Sequence, residues 1–257
     1  MDITVRSRKI EDISILEAFQ DDRVSKKSLV ITQHGWTGRK EDQLIPAYLL
    51  AKSGFYAVAL DAYRHGERMT QELGGRLYDL IEIVQRTVMD IDRVIDSYAD
   101  NDMVDISRAG LTGVSMGGVI TYFYLVKEER KIKAAVPIIG TPDFESIFKS
   151  YNRNLVMNVL RINGSLVDED MSKAEELARQ MQPINRYKAM NGIPILMLNG
   201  GRDQFIPIEG VRRFYNLLKP IFYDPEALKF IEDPVCEHYV TWDMNLQMVK
   251  WFEKYLK

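Results

Sequence analysis

Cysteine is nearly absent from this sequence: Cys236 is the single thiol in 257 residues. One thiol cannot form an internal disulfide, and it cannot build a zinc site in which cysteine predominates. A chain without disulfides is typical of a reducing compartment. We therefore expect a cytoplasmic protein.

An excess of charge of one sign is also lacking. The chain has 34 Lys and Arg against 37 Asp and Glu, a formal net charge of -3, and no run of like charges that would make a polyanion-binding face. Nucleic acid is therefore not an expected partner. Residues 1–10 lack the apolar core of a signal peptide, and the purely apolar stretches are far shorter than the ~20 residues of a membrane helix. Neither secretion through a signal peptide nor a membrane association is expected.

The residues that are present favour one large α/β domain over 1–257, with 46% hydrophobic residues to form its core. Short β-branched runs alternate with longer stretches at helical spacing, which indicates a mostly parallel sheet with helices on both faces. About eight strands are predicted, the first two as an antiparallel edge hairpin. They cover residues 3–5, 13–19, 29–33, 56–60, 109–113, 134–138, 195–198 and 228–231.

Two longer segments stand out between these strands. Residues 75–98 place apolar side chains at spacings of three, four and seven, which predicts an amphipathic helix packed on the sheet. Residues 141–192, after the sixth strand, are much longer than an ordinary connection. We predict that they form a small helical cap, with amphipathic helices over 144–160 and over 172–180.

The motif Gly113-Val-Ser115-Met-Gly117-Gly118 carries the strongest chemical signal. It follows an apolar strand and precedes a helical pattern, which is the context of a nucleophile elbow. Such a turn exposes the serine hydroxyl above the sheet, and the N-terminus of the following helix favours negative charge there. Ser115 is therefore the predicted nucleophile.

A serine nucleophile needs a base, and the chain has three histidines. His34 and His65 precede the elbow, whereas His238 follows the last strand. Enzymes with this motif carry their triad in the order serine, acid, histidine, so His238 is the predicted base. His34 and His65 are interpreted as histidines that are hydrogen-bonded in turns.

The acid of the triad is expected in Gly200-Gly-Arg-Asp203, directly after the predicted strand 195–198. Asp203 would fix the tautomer of the histidine and stabilise its protonated form. Asp224 and Asp233 are alternatives, but they flank the last strand instead of ending the one before it.

Some neighbouring residues have less specific interpretations. Cys236 is expected to be a small buried hydrophobe and not a reactive thiol. Arg39 and Lys40 are expected to be solvated loop charges, with contact to a substrate carboxylate as the alternative. Met171 and Met181 could line an acyl pocket, although packing is the simpler role. No G-x-G-x-x-G follows the first parallel strand, so no dinucleotide site is expected.

Together, His34-Gly35-Trp36, the Ser115 motif, Gly200-x-x-Asp203-x-x-Ile206-Pro207 and His238 resemble the α/β-hydrolase superfamily over essentially the whole chain. Within it, the sequence is similar to the small bacterial serine esterases related to prolyl oligopeptidase and dienelactone hydrolase. Ser115 stands where dienelactone hydrolase itself has cysteine, and 257 residues leave no room for the propeller domain of the peptidases.

This resemblance implies a carboxylesterase that works through an acyl-enzyme on Ser115, and the modest length of the predicted cap favours short-chain esters. It also implies an oxyanion hole made by the backbone N–H groups of Trp36 and Met116. No metal or organic cofactor is called for, and the expected partner is a small-molecule ester; the sequence carries no indication of oligomeric state. A peptidase, thioesterase or lactonase on the same triad, a non-catalytic ligand-binding relative and a scaffold that uses the cap remain alternatives.

Overall fold

The computed structural model describes residues 2–22, 24–69, 77–143, 176, 179, 180 and 182–257. Eight strands of these residues form one sheet in the order β1-β2-β4-β3-β5-β6-β7-β8. The strands are β1 (Ile3–Ile10), β2 (Ile13–Gln20), β3 (Lys27–Gln33), β4 (Tyr56–Leu60), β5 (Val104–Val114), β6 (Ile132–Ile138), β7 (Ile195–Gly200) and β8 (Leu228–Asp233). All eight predicted strands are therefore confirmed.

The sheet is antiparallel at one edge and parallel elsewhere. β1 and β2 form the predicted hairpin, from the Ile3–Gln20 pair to the Ile10–Ile13 pair, and β2 also runs antiparallel to β4. From β4 onward every neighbouring pair is parallel. The parallel strands in the centre of the sheet are buried on both faces; in β4, for example, all five side chains are inaccessible to solvent, whereas the edge strand β8 is largely half-buried.

Helices cover both faces of this sheet, as predicted. They are α1 (Leu44–Lys52), α2 (Leu77–Asp96), α3 (Met116–Leu125), α4 (Ile208–Leu218) and α5 (Trp242–Leu256). Buried side chains of α2, α3 and α4 share one hydrophobic core, and those of α1 and α5 share the other. None of the helices in the described ranges has both the length and the apolar character that crossing a bilayer requires.

The predicted helix over 75–98 corresponds to α2. Its apolar stripe packs into the core through Leu80, Ile81, Val84, Val88, Ile91, Val94 and Ile95. The predicted start at residue 75 lies outside the described residues. Burial of this stripe against the sheet, and not helix propensity alone, accounts for the stability of a helix of this length.

The cap predicted over 141–192 remains a prediction, because residues 144–175, 177, 178 and 181 lie outside the described residues. The predicted helix over 144–160 is among them, and the one over 172–180 is described only at residues 176, 179 and 180, which are helical. The described ends of the segment meet: Ile184 N–H donates to the Pro142 carbonyl at 3.0 Å. A 3-10 stretch, Pro183–Met190, then leads back to β7.

The parallel strands bring the predicted site residues to one edge. In a parallel sheet the carboxyl ends of all strands lie at the same edge, and the loops that leave them converge there. The loops after β3, β5, β7 and β8 carry Trp36, Ser115, Asp203 and His238 respectively.

Candidate active site

Ser115 occupies a strained turn between β5 and α3. β5 ends at Val114 and α3 begins at Met116, so one residue makes the whole connection. The backbone of Ser115 has φ 57° and ψ -112°, a conformation that L residues rarely adopt. Its N–H donates to the Ile138 carbonyl at 2.9 Å, which fixes the turn to β6. This is the geometry of a nucleophile elbow.

The glycines of the motif are required by close backbone contacts. A Cβ atom on Gly113 would lie 2.3 Å from the Gly117 carbonyl oxygen, and one on Gly117 would lie 2.3 Å from the Gln33 carbonyl oxygen. Real Cβ atoms do not approach carbonyl oxygens so closely. The turn can therefore pack against β3 only with glycine at these two positions.

Three predicted site residues form a continuous hydrogen-bonded chain. Ser115 Oγ lies 2.9 Å from His238 Nε2, and His238 Nδ1 lies 2.7 Å from Asp203 Oδ2. Because an ionised carboxylate only accepts, Nδ1 carries the proton and Nε2 is left to accept from the serine hydroxyl. The imidazole is thus oriented to take a proton from Ser115.

Asp203 is held in place by the backbone that follows it. Its Oδ1 accepts from the N–H groups of Phe205 at 2.8 Å and Ile206 at 2.9 Å, while Oδ2 faces His238. The side chain is fully buried. Phe205 also packs its ring against the His238 imidazole, with 5.1 Å between centroids. This aromatic contact could not be predicted from the sequence, since a phenylalanine in a turn gives no distinctive signal.

The side chains of the two other aspartates considered for this role accept hydrogen bonds within turns. Asp224 Oδ1 accepts from Glu226 N–H at 2.9 Å, and Asp233 Oδ1 accepts from the N–H groups of Val235 and Cys236, both at 3.1 Å. The structure therefore brings Asp203, and neither alternative, to the histidine.

Trp36 and Met116 lie on the two turns that meet at Ser115. An ideal Cβ atom on Gly35 would be 3.4 Å from Ser115 Cβ, so the residues around Trp36 adjoin the serine. Met116 is the first residue of α3, where backbone N–H groups have no partner within the helix. Within the described residues, neither the Trp36 nor the Met116 N–H donates to another backbone carbonyl.

The other two histidines are buried in turns, as interpreted from the sequence. His34 Nδ1 lies 2.7 Å from the Gly35 carbonyl oxygen, and its Nε2 accepts from Ala62 N–H at 3.0 Å. His65 Nδ1 lies 3.0 Å from the Tyr63 carbonyl oxygen. Burial lowers the pKa of His34 and lowers that of His65 to about 4, so both are neutral at pH 7.

Cys236 lies buried beneath the histidine loop. Its Sγ is 3.3 Å from the carbonyl oxygens of Glu237 and Tyr239, on either side of His238. Burial raises the pKa of the thiol. This environment agrees with the expectation of a small buried side chain that is not reactive.

The buried position of Lys40 contradicts one expectation from the sequence. The sequence suggested a solvated loop charge or a contact with a substrate, but the side chain is 1% exposed. Its Nζ lies 3.3 Å from Asp61 Oδ2 and 2.6 Å from Glu67 Oε1. Only Arg39, which is 67% exposed, behaves as the expected solvated charge.

No cluster of three or more His, Cys, Asp or Glu side chains that would suit a metal ion occurs among the described residues. The hydrogen-bonded chain from Ser115 to Asp203 is instead suited to proton transfer and nucleophilic attack.

Comparison with known sequences places the chain among hydrolases. Residues 45–257 match the prolyl oligopeptidase family. A protein of Bacillus subtilis (strain 168) named "Putative esterase YitV" is 30% identical over 263 residues, which cover 99% of this chain and 100% of that protein.

Solved structures agree in fold. TT1662 from Thermus thermophilus has a TM-score of 0.78 at 21% identity, over 100% of this chain and 99% of that chain. The acylaminoacyl peptidase of Pyrococcus horikoshii has a TM-score of 0.76 at 17% identity, over 100% of this chain and 42% of that chain. These likenesses confirm the predicted α/β-hydrolase fold.

Proposed function

Because the chain belongs to the prolyl oligopeptidase family of serine hydrolases, we propose that it is a carboxylesterase that hydrolyses short-chain esters through an acyl-enzyme on Ser115. The observation that carries this proposal is the hydrogen-bonded chain from Ser115 Oγ through His238 to Asp203. A serine hydroxyl becomes a strong nucleophile only when a base takes its proton. We place the enzyme in the cytoplasm, where a lone cysteine stays reduced.

In the first half of the proposed reaction, Ser115 Oγ attacks the ester carbonyl carbon as its proton moves to His238 Nε2. The carbonyl π electrons move onto oxygen and form a tetrahedral oxyanion. When this intermediate collapses, the bond to the leaving alcohol breaks, and the alcohol departs with the proton from His238. In the second half, water attacks the acyl carbon and His238 takes its proton. Ser115 then departs with that proton as the carboxylic acid is released.

Two backbone donors would stabilise the oxyanion. Trp36 follows Gly35, which adjoins Ser115, Met116 follows Ser115 directly, and the N-terminus of α3 adds a favourable dipole. Donors of this kind strengthen as charge develops on the oxygen, so they stabilise the transition state more than the bound ester. Asp203 would hold the imidazole in its required tautomer and stabilise the imidazolium form.

An ester is favoured over an amide by the relatives. The B. subtilis relative, matched over its whole length, is named as an esterase. The acylaminoacyl peptidase is 17% identical and supports the fold alone. The preference for short acyl chains rests on the modest length of the segment between β6 and β7.

A panel of p-nitrophenyl esters from acetate to palmitate, with matched p-nitroanilides, tests this proposal. We expect turnover of the short esters by the wild type and its loss in Ser115→Ala. Ser107→Ala, on the exposed start of the same strand, is the matched control and should keep full activity. Faster cleavage of anilides or of long-chain esters would contradict the proposed substrate class. Failure of a fluorophosphonate probe to label Ser115 would instead favour a non-catalytic binding protein.

A further inference from the structure

Two segments of the chain meet beside the candidate site through buried polar contacts. We call residues 34–40, which follow β3, the tryptophan turn, and residues 61–67, which follow β4, the aspartate loop. His34 Nε2 accepts from Ala62 N–H at 3.0 Å near the start of the tryptophan turn. At its end, Lys40 N–H donates to Asp61 Oδ1 at 2.8 Å. The turn that carries Trp36 is therefore attached to the aspartate loop at both ends.

The side chain of Lys40 adds a buried ion pair to this attachment. Its Nζ lies 3.3 Å from Asp61 Oδ2, 2.6 Å from Glu67 Oε1 and 2.9 Å from Glu41 Oε1. The side chains of Lys40 and Asp61 are 1% and 0% exposed. Burial lowers the pKa of Lys40, but hydrogen bonds to Glu67 and Glu41 and the charge of Asp61 outweigh it, so Lys40 stays protonated.

Asp61 in turn is enclosed by the loop it starts. Its Oδ2 accepts from Glu67 N–H at 3.0 Å. A Cβ atom on Gly66, whose φ is +53°, would lie 2.2 Å from Asp61 Oδ1, so the backbone closes directly over the carboxylate. Each carboxylate oxygen is thus fixed by a backbone N–H, one from each segment. An ion pair so restrained has one arrangement, which makes it a rigid link.

What this link holds is the turn between His34 and Lys40. Within it, Gly38 N–H donates to the Gly35 carbonyl at 3.1 Å, and Gly35 adjoins Ser115. An oxyanion donor is effective only within a narrow range of positions, so the turn must not shift. We propose that Lys40 and Asp61 are a positioning pair that holds the Trp36 N–H at the oxyanion site, an inference that rests on the proposed function.

This role also accounts for a lysine buried beside an ester-cleaving site. A lysine that contacts a substrate carboxylate must reach the substrate, but Lys40 Nζ is enclosed by three protein carboxylates. Lys40 therefore acts through the backbone and not by contact with the ester.

The test compares two identical substitutions. Lys40→Met removes the charge with little change in volume. Lys27→Met is the matched control, because Lys27 is 5% exposed, pairs with Asp22 Oδ1 at 2.5 Å and begins β3 at the edge opposite the site. Both variants lose a buried lysine and its ion pair, so loss of stability alone affects both. Thermal unfolding measures that shared effect, and an end-point fluorophosphonate titration counts the competent active sites.

The diagnostic measurement is the rate ratio between an ester and its thionoester. A thionoester develops its negative charge on sulfur, a weaker hydrogen-bond acceptor, so the ratio reports the oxyanion donors. We expect Lys40→Met to lower kcat per titrated site by about 10- to 100-fold, less than the loss of a whole donor, with KM nearly unchanged. The ester-to-thionoester ratio should fall as well. Lys27→Met should leave kcat per site and the ratio within about two-fold of wild type.

If Lys40→Met does not fold, Glu67→Gln replaces it. The Glu67 side chain is 52% exposed, and its loss removes one partner of Lys40 without burying an unpaired charge. We expect kcat per titrated site to fall by about two- to five-fold, and the ester-to-thionoester ratio to fall as well, since the contact between Lys40 and Asp61 remains. An unchanged ester-to-thionoester ratio in these variants, or equal losses in the Lys40 and Lys27 variants, would overturn the positioning role.

If the proposed function is wrong, the same measurements give a different result. If the wild type is labelled by the fluorophosphonate but cleaves none of the esters, the substrate class is wrong. The labelling reaction also develops negative charge on an oxygen. The rate of labelling then distinguishes Lys40→Met from Lys27→Met. If Ser115 is not labelled in the wild type, both the proposed function and the positioning pair are rejected.

Discussion

His238 Nδ1 and Asp203 Oδ2 lie 2.7 Å apart, and this one hydrogen bond determines which imidazole nitrogen faces Ser115. Asp203→Asn would keep the shape of the side chain. In one of the two orientations of the new amide, however, an N–H group and not an oxygen would face the histidine. We expect kcat to fall by about 10⁴-fold, because the tautomer that accepts from serine is lost, with little change in KM. Steady-state kinetics on p-nitrophenyl butyrate would measure this.

The control for that substitution uses a rival aspartate. Asp224 caps a short turn far along the chain from Asp203, and Asp224→Asn should leave kcat within about two-fold of wild type. A larger loss in Asp224→Asn than in Asp203→Asn would show that the wrong acid has been assigned.

The close packing of Gly117 leads to a prediction about stability. In Gly117→Ala the new methyl would lie 2.3 Å from the Gln33 carbonyl oxygen, so β3 or the turn must move. We expect the free energy of unfolding to fall by about 3 kcal/mol or more. Gly54→Ala is the control: Gly54 has φ +83° but no atom within 4 Å of the added methyl, so only backbone strain of about 1–2 kcal/mol should appear. Urea unfolding curves would compare the two, and equal losses would contradict a steric cause.

Backbone strain at Ser115 gives a prediction independent of catalysis. The residue has φ 57° and ψ -112°, which glycine adopts more readily than alanine. Ser115→Gly and Ser115→Ala should both be inactive, but Ser115→Gly should be more stable than Ser115→Ala by about 1 kcal/mol. Denaturation midpoints measure the difference, and a more stable alanine variant would argue against strain in the turn.

The neutral state of His65 predicts a pH dependence of stability. Burial lowers its folded-state pKa to about 4 from an ordinary value of 6.5. Because the unfolded chain binds the proton at higher pH, the contribution of His65 is complete above pH 6.5 and is lost as the pH falls toward 4. The difference between the two pKa values corresponds to about 3 kcal/mol.

His65→Asn tests that contribution, since the asparagine amide can still donate to the Tyr63 carbonyl while it cannot titrate. Urea unfolding at several pH values between 4 and 7 should show a smaller loss of stability in the variant than in the wild type. The same slope in both proteins would assign the pH dependence to other groups.

Much of the fold follows from local sequence, and the exceptions have physical causes. β4 matches its predicted bounds, because all five of its residues are apolar and buried. β5 begins at Val104, five residues before its predicted start, since Asp105, Ser107 and Arg108 in its first half are polar and hydrogen-bond to one another. α1 was not predicted as a separate helix: Leu44 and Ile45 are apolar yet exposed, so it lacks a clear stripe.

Part of the candidate site could likewise be predicted from the sequence, and part could not. Ser115, Asp203 and His238 follow from one motif, one strand end and the order of the chain, and the structure brings them into contact. The buried state of Lys40 could not be predicted, because its partner Asp61 is 21 residues away and a lysine after a turn is ordinarily solvated. Pairing between distant charges depends on the strand order, which no local pattern encodes.

The hydrogen bond between Ile184 N–H and the Pro142 carbonyl has a consequence for how this enzyme can be altered. Since the two ends of the intervening segment already touch, that segment begins and ends at nearly one point on the sheet. The entropy of closing a loop grows only slowly with its length. A shorter, longer or foreign segment can therefore be exchanged there at a small cost in loop-closure entropy, and we expect the sheet and the hydrogen-bonded chain of Ser115, His238 and Asp203 to be retained.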